Sequence, residues 1–332
     1  MSQYNEKKNQ TAKAAARTGA PAEPKETTRR AVPGKSNPDE TLSEGRSRLQ
    51  PVRDNSKARL GENAVVLITG SSSGIGLALA RQLLAAGCRV YGVARRYSEN
   101  ENWQPDEMGL VQIKLDVTNA DSCQQAVAKI ISKEGRLDAV FFNAGYGVAG
   151  AVEETSAKQA VSQMLANVIG ISAFLPEVIR QMRQQGSGSL IFVGSMTSVL
   201  PIPFQAYYSA SKAALEALAL ALRDEIKPYN VRCMVVNPGD TKSDFAQSRK
   251  KVIIPENSVY HKRFKRSVLK MERDENEGMS SEKLASLMIR QVQKNTLPLV
   301  YTPGLLYKTA VILKRILPLR LVRFVIGRMY SR

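Results

Sequence analysis

AVVLITGSSSGIG, residues 64–76, is the stretch that decides the fold. Its first five residues are all apolar, as expected for a strand that is buried on both faces of a sheet. Gly70, Gly74 and Gly76 then mark a turn, and residues 77–86 carry apolar side chains at helical spacing. The stretch therefore predicts a buried strand, a glycine-rich turn and a helix, in that order.

The same alternation continues along the chain. Helical patterns lie near residues 120–133, 156–184, 207–227 and 281–294, and further apolar runs between them predict strands at 89–94, 110–115, 139–142, 189–193 and 232–236. Strands that alternate with helices indicate a parallel sheet covered on both faces. We therefore predict an α/β fold, a doubly wound parallel sheet (Rossmann fold), as a single domain with a disordered N-terminal tail and basic amphipathic C-terminal helices.

The glycine-rich turn has the properties of a phosphate-binding loop. Gly70 permits a tight exit from the strand, Gly74 lets backbone approach a pyrophosphate, and Gly76 lets the helix pack on the sheet. The N-terminus of the helix adds free N–H groups and a positive dipole. A plain turn between strand and helix is the alternative interpretation.

Two arginines, Arg95 and Arg96, follow the second predicted strand. An acidic residue at this place would bind the ribose 2′-hydroxyl of NAD, whereas arginine suits the 2′-phosphate of NADP. The pair therefore favours NADP(H), unless it is only a solvated surface pair.

Tyr208 and Lys212 are four residues apart at the start of a predicted helix, so they share one helix face. A lysine ammonium beside a phenol favours the phenolate and lowers the phenol's pKa, which makes tyrosine usable as an acid or base. The neighbouring Tyr207 does not have this spacing. Taken alone, such a pair is more often an ordinary surface pair.

Together these motifs resemble the short-chain dehydrogenase/reductase family in its core-length form. Ser195 stands 13 residues before Tyr208, which is the family's serine-to-tyrosine spacing, although Ser198 lies nearby as a competitor. The other matching segments, in order along residues 64–241, are Thr69–Gly76, Leu115-Asp116-Val117, Asn143-Ala144-Gly145, Asn167 with Gly170, and Asn237-Pro238-Gly239 with Thr241.

The resemblance implies an oxidoreductase that transfers hydride between NADPH and a carbonyl carbon. Tyr208 would donate the proton, Ser195 would stabilise the carbonyl oxygen, Lys212 would bind the nicotinamide ribose and lower the pKa of Tyr208, and Asn167 would hold a water that links Lys212 to solvent. The implied cofactor-binding residues are Thr69, Gly70, Ser72, Ser73, Gly74, Ile75, Gly76, Arg95, Arg96, Asp116, Val117, Asn143, Ala144, Gly145, Tyr208, Lys212, Pro238, Gly239 and Thr241.

Charge and composition divide the chain into three parts. Residues 1–62 are polar and basic, with no lasting apolar stripe, and we expect a disordered tail that solvates the protein or docks on a partner. Residues 63–300 form the dinucleotide-binding domain, with a basic substrate lid at about 242–280. Residues 301–332 form a basic amphipathic segment.

Pro318 divides this last segment into two helical pieces. Residues 298–332 carry seven basic residues and no acidic one. No stretch in it is long and uncharged enough to span a membrane. A basic amphipathic helix suits the surface of an anionic membrane. Packing on the core and an oligomer contact are the alternatives for residues 304–332.

Composition also narrows the function. The single histidine, His261, and three scattered cysteines argue against a metal site, so we predict none. The net charge of +18 prompts the idea of nucleic-acid binding, but the basic ends lack interleaved aromatics or a reading helix, so no nucleic-acid partner is expected. The absence of an apolar run near Met1 predicts a cytoplasmic protein, peripheral on the membrane at most.

We therefore predict an NADP-dependent enzyme that interconverts a ketone or aldehyde and an alcohol, acting on a small-molecule carbonyl substrate that is hydrophobic or lipid-like, such as a sterol, retinoid, sphingoid or acyl ketone. A β-ketoacyl carrier-protein reductase is one alternative. A non-catalytic dinucleotide sensor or scaffold is another, from a different class. The family resemblance also implies a homo-oligomer.

Overall fold

The computed structural model describes residues 60–330. The predicted disordered tail at 1–62 falls almost entirely on residues outside this range. Within residues 60–330 the strands are β1 Val65–Thr69, β2 Arg89–Ala94, β3 Leu110–Lys114, β4 Ala139–Phe142, β5 Val148–Ala149, β6 Gly188–Val193, β7 Val231–Val236, β8 Thr241–Lys242, β9 Lys250–Lys251, β10 Met279–Ser280 and β11 Val300–Tyr301.

The helices follow the predicted alternation. They are α1 Gly74–Ala85, α2 Ala120–Glu134, α3 Ala157–Met164, α4 Gly170–Ser172, α5 Leu175–Gln185, α6 Met196–Val199, α7 Ala206–Ile226, α8 Phe245–Ser248, α9 His261–Asn276, α10 Ser281–Val292, α11 Leu305–Ile316 and α12 Leu319–Tyr330. A π-helical turn, Leu165–Ile169, joins α3 to α4, and a 3₁₀ turn, Lys227–Tyr229, follows α7.

The main sheet has seven strands in the order β11-β7-β6-β4-β1-β2-β3, and every neighbouring pair is parallel. The chain runs outward from β1 to β3 and then returns to build the other half from β4. The strand order therefore reverses between β1 and β4. In sheets of this kind ligands bind at that switch point, beyond the carboxyl ends of the strands. The predicted doubly wound parallel sheet is confirmed.

A hydrophobic core lies on each face of the sheet. Phe142 and Phe192 stack on one face with their ring centroids 4.8 Å apart, and helices α2, α5 and α7 cover them. Helices α1 and α10 cover the other face, where Leu79, Leu83 and Met288 are fully buried. Burial on both faces explains why β1, β4 and β6 read as continuous apolar runs.

One helical run, Ala157–Gln185, is long and apolar enough to cross a membrane by length and composition, with a mean hydropathy of 1.3. Phe174, Val178 and Met182 in this run are fully buried in the core. Packing against the sheet therefore accounts for part of its apolar character, whereas Val161, Leu165 and Ile169 of the same run are exposed.

The C-terminal part of the chain holds elements that the sequence pattern did not reveal. The two-residue strand β11 extends the sheet beside β7, and the polar stretch around 261–276 forms the long helix α9. The predicted break at Pro318 is present, since α11 ends at Ile316 and α12 begins at Leu319.

Candidate active site

A cavity of about 1350 Å³ lies at the carboxyl ends of the strands, around the switch point. Its walls carry predicted residues from six strand ends as well as residues of α11 and α12. The predicted site residues that line it are Gly70, Ser72, Ser73, Gly74, Ile75, Arg95, Arg96, Asp116, Val117, Asn143, Ala144, Gly145, Ser195, Tyr208, Lys212, Pro238, Gly239 and Thr241.

Three predicted site residues lie behind the cavity wall instead. Thr69 is buried under the glycine-rich turn, and its hydroxyl accepts hydrogen bonds from the backbone N–H groups of Asn143 and Ala144, both 3.0 Å long. A Cβ on Gly76 would lie 2.2 Å from the carbonyl oxygen of Gly70. Thr69 and Gly76 therefore shape the turn rather than face a ligand. Asn167 is the third.

The glycine-rich turn presents unpaired donors to the cavity. Gly70 and Gly74 adopt positive φ angles of 70° and 52°, a conformation that favours glycine. Ser73 occupies the N-cap position of α1, but its side chain does not cap the helix. The first N–H groups of α1 are therefore available to an anion, and the loop fits the pyrophosphate of a dinucleotide.

Arg95 and Arg96 lie on the wall beside this loop. Arg96 donates a 2.9 Å hydrogen bond to the hydroxyl of Ser73, and Nη1 of Arg95 lies 3.9 Å from Oδ2 of Asp116. Both arginine side chains are exposed to the cavity. Two guanidinium groups are therefore held at the end of β2, where a phosphate on the ribose would lie.

Asn167 lies in the π-helical turn and is fully buried. Its Nδ2 donates to the carbonyl oxygen of Tyr146 and to the hydroxyl of Ser211, and its Oδ1 accepts from the N–H of Tyr146, all at 3.0 Å. Such π turns are frequent at functional sites. Here the turn directs Asn167 at the loop that follows β4, so this residue fixes the shape of the wall.

Tyr208 and Ser195 both line the cavity. Ser195 caps the short helix α6, where its hydroxyl accepts from the N–H of Thr197 at 3.1 Å. Burial raises the pKa of Tyr208 to about 12, while the hydrogen bond with Ser195 and the positive charge of Arg249 lower it. Ser195, rather than Ser198, shares the cavity with Tyr208, because the hydroxyl of Ser198 contacts Glu216 at 2.5 Å and does not line the cavity.

Lys212 lies in the wall of the same cavity as Tyr208. Its Nζ donates a 2.7 Å hydrogen bond to the carbonyl oxygen of Val193 and lies 5.9 Å from the ring centroid of Tyr208. Burial lowers the pKa of Lys212 to about 8. Ser195 and Arg249 lower the pKa of Tyr208 in this geometry, and a further lowering by Lys212 stays a prediction.

Arg249 was missed by the sequence analysis. It is buried, it forms an ion pair with Glu275, and its guanidinium carbon lies 5.7 Å from the ring centroid of Phe245. The Phe245 ring in turn packs on the Tyr208 ring, with centroids 5.5 Å apart. Within a run of ten basic residues from 242 to 273, nothing in the sequence distinguishes this arginine from solvated ones.

Tyr307 of α11 was missed as well. Its hydroxyl donates to Oδ2 of Asp240 at 2.6 Å and accepts from the N–H of Asp240 at 2.9 Å. A Cβ on Gly239 would lie 2.1 Å from the Tyr307 ring, so this ring needs a glycine beneath it. Tyr330 of α12 similarly donates to Asp274 at 3.1 Å. Both C-terminal helices are therefore anchored to the cavity wall.

The family model of the short chain dehydrogenases matches residues 64–253, which is more than half of the chain. The chain belongs to the short-chain dehydrogenase family. It is therefore an oxidoreductase of a family that uses nicotinamide dinucleotides.

Two kinds of relative agree with this membership. A 3-ketodihydrosphingosine reductase of Bacteroides thetaiotaomicron is 36% identical over 236 residues, which cover 70% of this chain and 85% of the relative. A solved short-chain dehydrogenase of Streptomyces avermitilis is 26% identical to this chain, with a TM-score of 0.67. The match covers 80% of this chain and 95% of the solved one. One from Burkholderia phymatum in complex with NAD, at 20% identity and the same TM-score, covers 77% and 94% and shows the fold alone.

Proposed function

We propose that this short-chain dehydrogenase is an NADP(H)-dependent enzyme that interconverts a hydrophobic ketone or aldehyde and the corresponding alcohol. The observation that carries the proposal is the shared cavity. The buried Tyr208 lies in the same cavity as Ser195, the glycine-rich loop and two arginines. We propose residues 63–300 as the dinucleotide-binding domain, with residues 242–280 as its substrate lid.

The side chains divide the chemical work among them. A nicotinamide dinucleotide supplies or accepts the hydride when it is bound. Tyr208 Oη gives its proton to the carbonyl oxygen during reduction and takes it back during oxidation. Ser195 Oγ hydrogen-bonds the same oxygen and stabilises the negative charge that develops there. Lys212 holds the ribose next to the nicotinamide, and Asn167 positions the loop after β4.

Arg95 and Arg96 support NADP(H) as the cofactor, since the wall at the end of β2 offers a 2′-phosphate two cations and no carboxylate from β2 itself. Replacing Arg95 by alanine removes one charge-assisted hydrogen bond to that phosphate. We expect the KM for NADPH to rise about 10- to 100-fold while the KM for NADH changes little. Initial rates with both cofactors at a fixed ketone concentration measure this.

Arg81→Ala is the matched control, because Arg81 is an exposed arginine of α1 outside the cavity. It should leave both KM values unchanged. An equal rise for NADPH and NADH in the Arg95 variant contradicts the choice of NADP(H).

An apolar wall supports a hydrophobic substrate. Leu306, Ala310, Leu313, Leu317 and Val322, from the C-terminal helices and the residues that join them, line the cavity. The similarity to a 3-ketodihydrosphingosine reductase adds a long-chain amino ketone, a sphingoid precursor, as the first candidate. We propose a sphingoid or comparable lipid-like ketone as the substrate.

A panel of ketones tests the proposed function directly. The absorbance of NADPH is followed with purified protein and ketones of increasing chain length, with a β-ketoacyl thioester of an acidic carrier protein in a separate arm. We expect kcat/KM to rise with chain length, because each further methylene buried in the apolar wall contributes about 0.8 kcal/mol, or roughly fourfold. Preference for the carrier-bound thioester supports the carrier-protein reductase instead, and turnover of no carbonyl compound supports a dinucleotide sensor.

Location and assembly are part of the proposal. We propose a cytoplasmic enzyme that works at a membrane surface through residues 304–332, and that forms a homo-oligomer, as short-chain dehydrogenases commonly do. The small-molecule carbonyl compound is its substrate partner.

A further inference from the structure

The C-terminal helices α11 and α12 form a two-sided element, which we call the C-terminal hairpin (residues 305–330). Its outward face carries large apolar side chains that do not line the cavity: Leu305, Ile312, Ile316, Leu319 and Leu321. Ile316 is 72% exposed and Leu319 is 66% exposed, on either side of the bend at Pro318. A monomeric soluble protein rarely concentrates exposed apolar side chains in this way, and such patches mark interaction sites.

The inward face of the same hairpin is a wall of the active-site cavity. Ala310 of α11, Leu317 just after it, and Val322 and Ile326 of α12 line it. Tyr307 and Tyr330 anchor the two helices to carboxylates on the cavity wall. The hairpin therefore stands between the cavity on one side and its own exposed apolar face on the other.

Some side chains belong to both faces. Leu306, Leu313 and Met329 line the cavity and are nevertheless 72%, 50% and 49% exposed. A side chain can do both only where the cavity opens to the surface. The mouth of the cavity is therefore rimmed by apolar residues of the hairpin.

The positive charge of the C-terminal hairpin indicates which kind of partner covers its outward face. Within residues 305–330 the hairpin carries six basic residues and no acidic one, all six exposed: Lys308, Lys314, Arg315, Arg320, Arg323 and Arg328. A second copy of the chain would bring the same positive charge against it, which opposes self-association through this face. An anionic lipid surface offers both an apolar interior and the opposite charge.

We propose that the C-terminal hairpin docks on an anionic phospholipid bilayer and that the lipid-like substrate enters the cavity from the bilayer through the apolar rim. This inference rests on the proposed function, from which it takes both the membrane surface and the lipid-like substrate, although vesicle binding is measured without the reaction. The outward apolar side chains lie among the lipid headgroups and upper acyl chains, and the basic side chains contact the lipid phosphates. A hydrophobic ketone then reaches Tyr208 without crossing water.

Binding of the full chain to vesicles tests the docking. We use phosphatidylcholine vesicles with and without 30 mol% phosphatidylserine (about one lipid in three, enough for a negative surface) and measure co-sedimentation. The wild type should bind the anionic vesicles at least tenfold more tightly, since each basic residue near such a surface contributes about fivefold. Arg315→Gln with Arg320→Gln should weaken binding to the anionic vesicles by about 25-fold, at about fivefold for each residue. Equal or absent binding to both kinds of vesicle overturns the proposal.

A matched pair of double variants tests the apolar face. Ile316→Glu with Leu319→Glu changes the outward face and should abolish vesicle binding. Met108→Glu with Tyr229→Glu is the control, since both residues are exposed and precede strands, at the amino ends away from the cavity. The control should bind as the wild type does. If both double variants bind alike, the hairpin is not the docking face.

Activity on two substrates tests the route of entry. The Ile316→Glu and Leu319→Glu variant should lose at least tenfold in rate on a long-chain ketone embedded in vesicles, and should keep its rate on a short water-soluble ketone within twofold. Loss on both substrates, or on neither, overturns the entry route. Vesicle binding by a protein that reduces no ketone contradicts the proposed function and leaves the docking supported. A dimer that this variant dissociates, without vesicle binding by the wild type, overturns the docking in favour of a second copy.

Discussion

Replacing Tyr208 by phenylalanine is expected to lower kcat for ketone reduction by about 10²- to 10⁴-fold, the contribution usual for a positioned general acid. The variant removes one oxygen atom at the centre of the site and keeps the ring that packs on Phe245. Because the cofactor-binding loop and the arginines are untouched, the affinity for NADPH should change little. Single-turnover kinetics and NADPH fluorescence titration measure the two quantities separately.

Tyr207→Phe provides the matched control. Tyr207 is the adjacent residue of α7, and it does not line the cavity. The same chemical change one position away should leave kcat unchanged. A Tyr208→Phe variant that keeps wild-type turnover, or one that loses NADPH binding together with turnover, would show that this phenol is not the proton donor.

The sequence was most informative where chemistry needs a particular residue at a particular spacing. The strand, glycine-rich turn and helix at 64–86 are present with the expected geometry, and the positive φ angles of Gly70 and Gly74 agree with the use of glycine. Continuous apolar runs located six of the seven strands of the main sheet. The remaining strand, β11, has two residues and lies between Pro298 and Pro303, so no periodicity could reveal it.

The sequence was least informative where contacts join distant parts of the chain. The pairing of Tyr307 with Asp240 spans 67 residues, and that of Arg249 with Glu275 spans 26 residues. Neither has a spacing that a local pattern can signal, because tertiary packing alone brings the partners together. The i and i+4 spacing of Tyr208 and Lys212 likewise gives a shared helix face, but not the contact of the lysine Nζ with the carbonyl oxygen of Val193.

Lys212 links function to stability, and its replacement by methionine is expected to have opposite effects on the two. Activity should fall by at least about 10²-fold, because the variant loses the ammonium that we propose to hold the nicotinamide ribose. Stability at pH 7 should rise. Lys212 is only 4% exposed, and burial lowers its pKa to about 8, so the fold carries the cost of a buried charge.

The sign of the pH dependence follows from that lowered pKa. In the unfolded chain the lysine has a pKa of about 10.4. Below pH 8 both states bind the proton and the native state bears a cost of roughly 3 kcal/mol, at about 1.4 kcal/mol for each pKa unit. Between about pH 8 and 10.4 the unfolded state binds more protons than the native state, so stability rises with pH in this window.

The methionine variant lacks the cost of the buried charge and the pH dependence that comes with it, since methionine fills a similar volume without a charge. The hydrogen bond to the carbonyl oxygen of Val193 is lost in exchange, which offsets about 1 kcal/mol of the gain. We therefore expect the variant to exceed the wild type by about 2 kcal/mol at pH 7 and to lose most of that advantage by about pH 10. Urea unfolding of both proteins at pH 7 and at about pH 10 measures this difference.

Lys227→Met is the control, since Lys227 is exposed just beyond the end of α7. It should change neither activity nor the pH dependence of stability, so groups that titrate elsewhere in the protein cancel from the comparison. A Lys212→Met variant that is less stable than the wild type at pH 7 would show that the buried ammonium is well compensated in the fold. A variant that is more stable than the wild type at pH 7 would show that the chain keeps a destabilising charge at this position. Active sites generally keep such strained or buried polar groups because the reaction requires them.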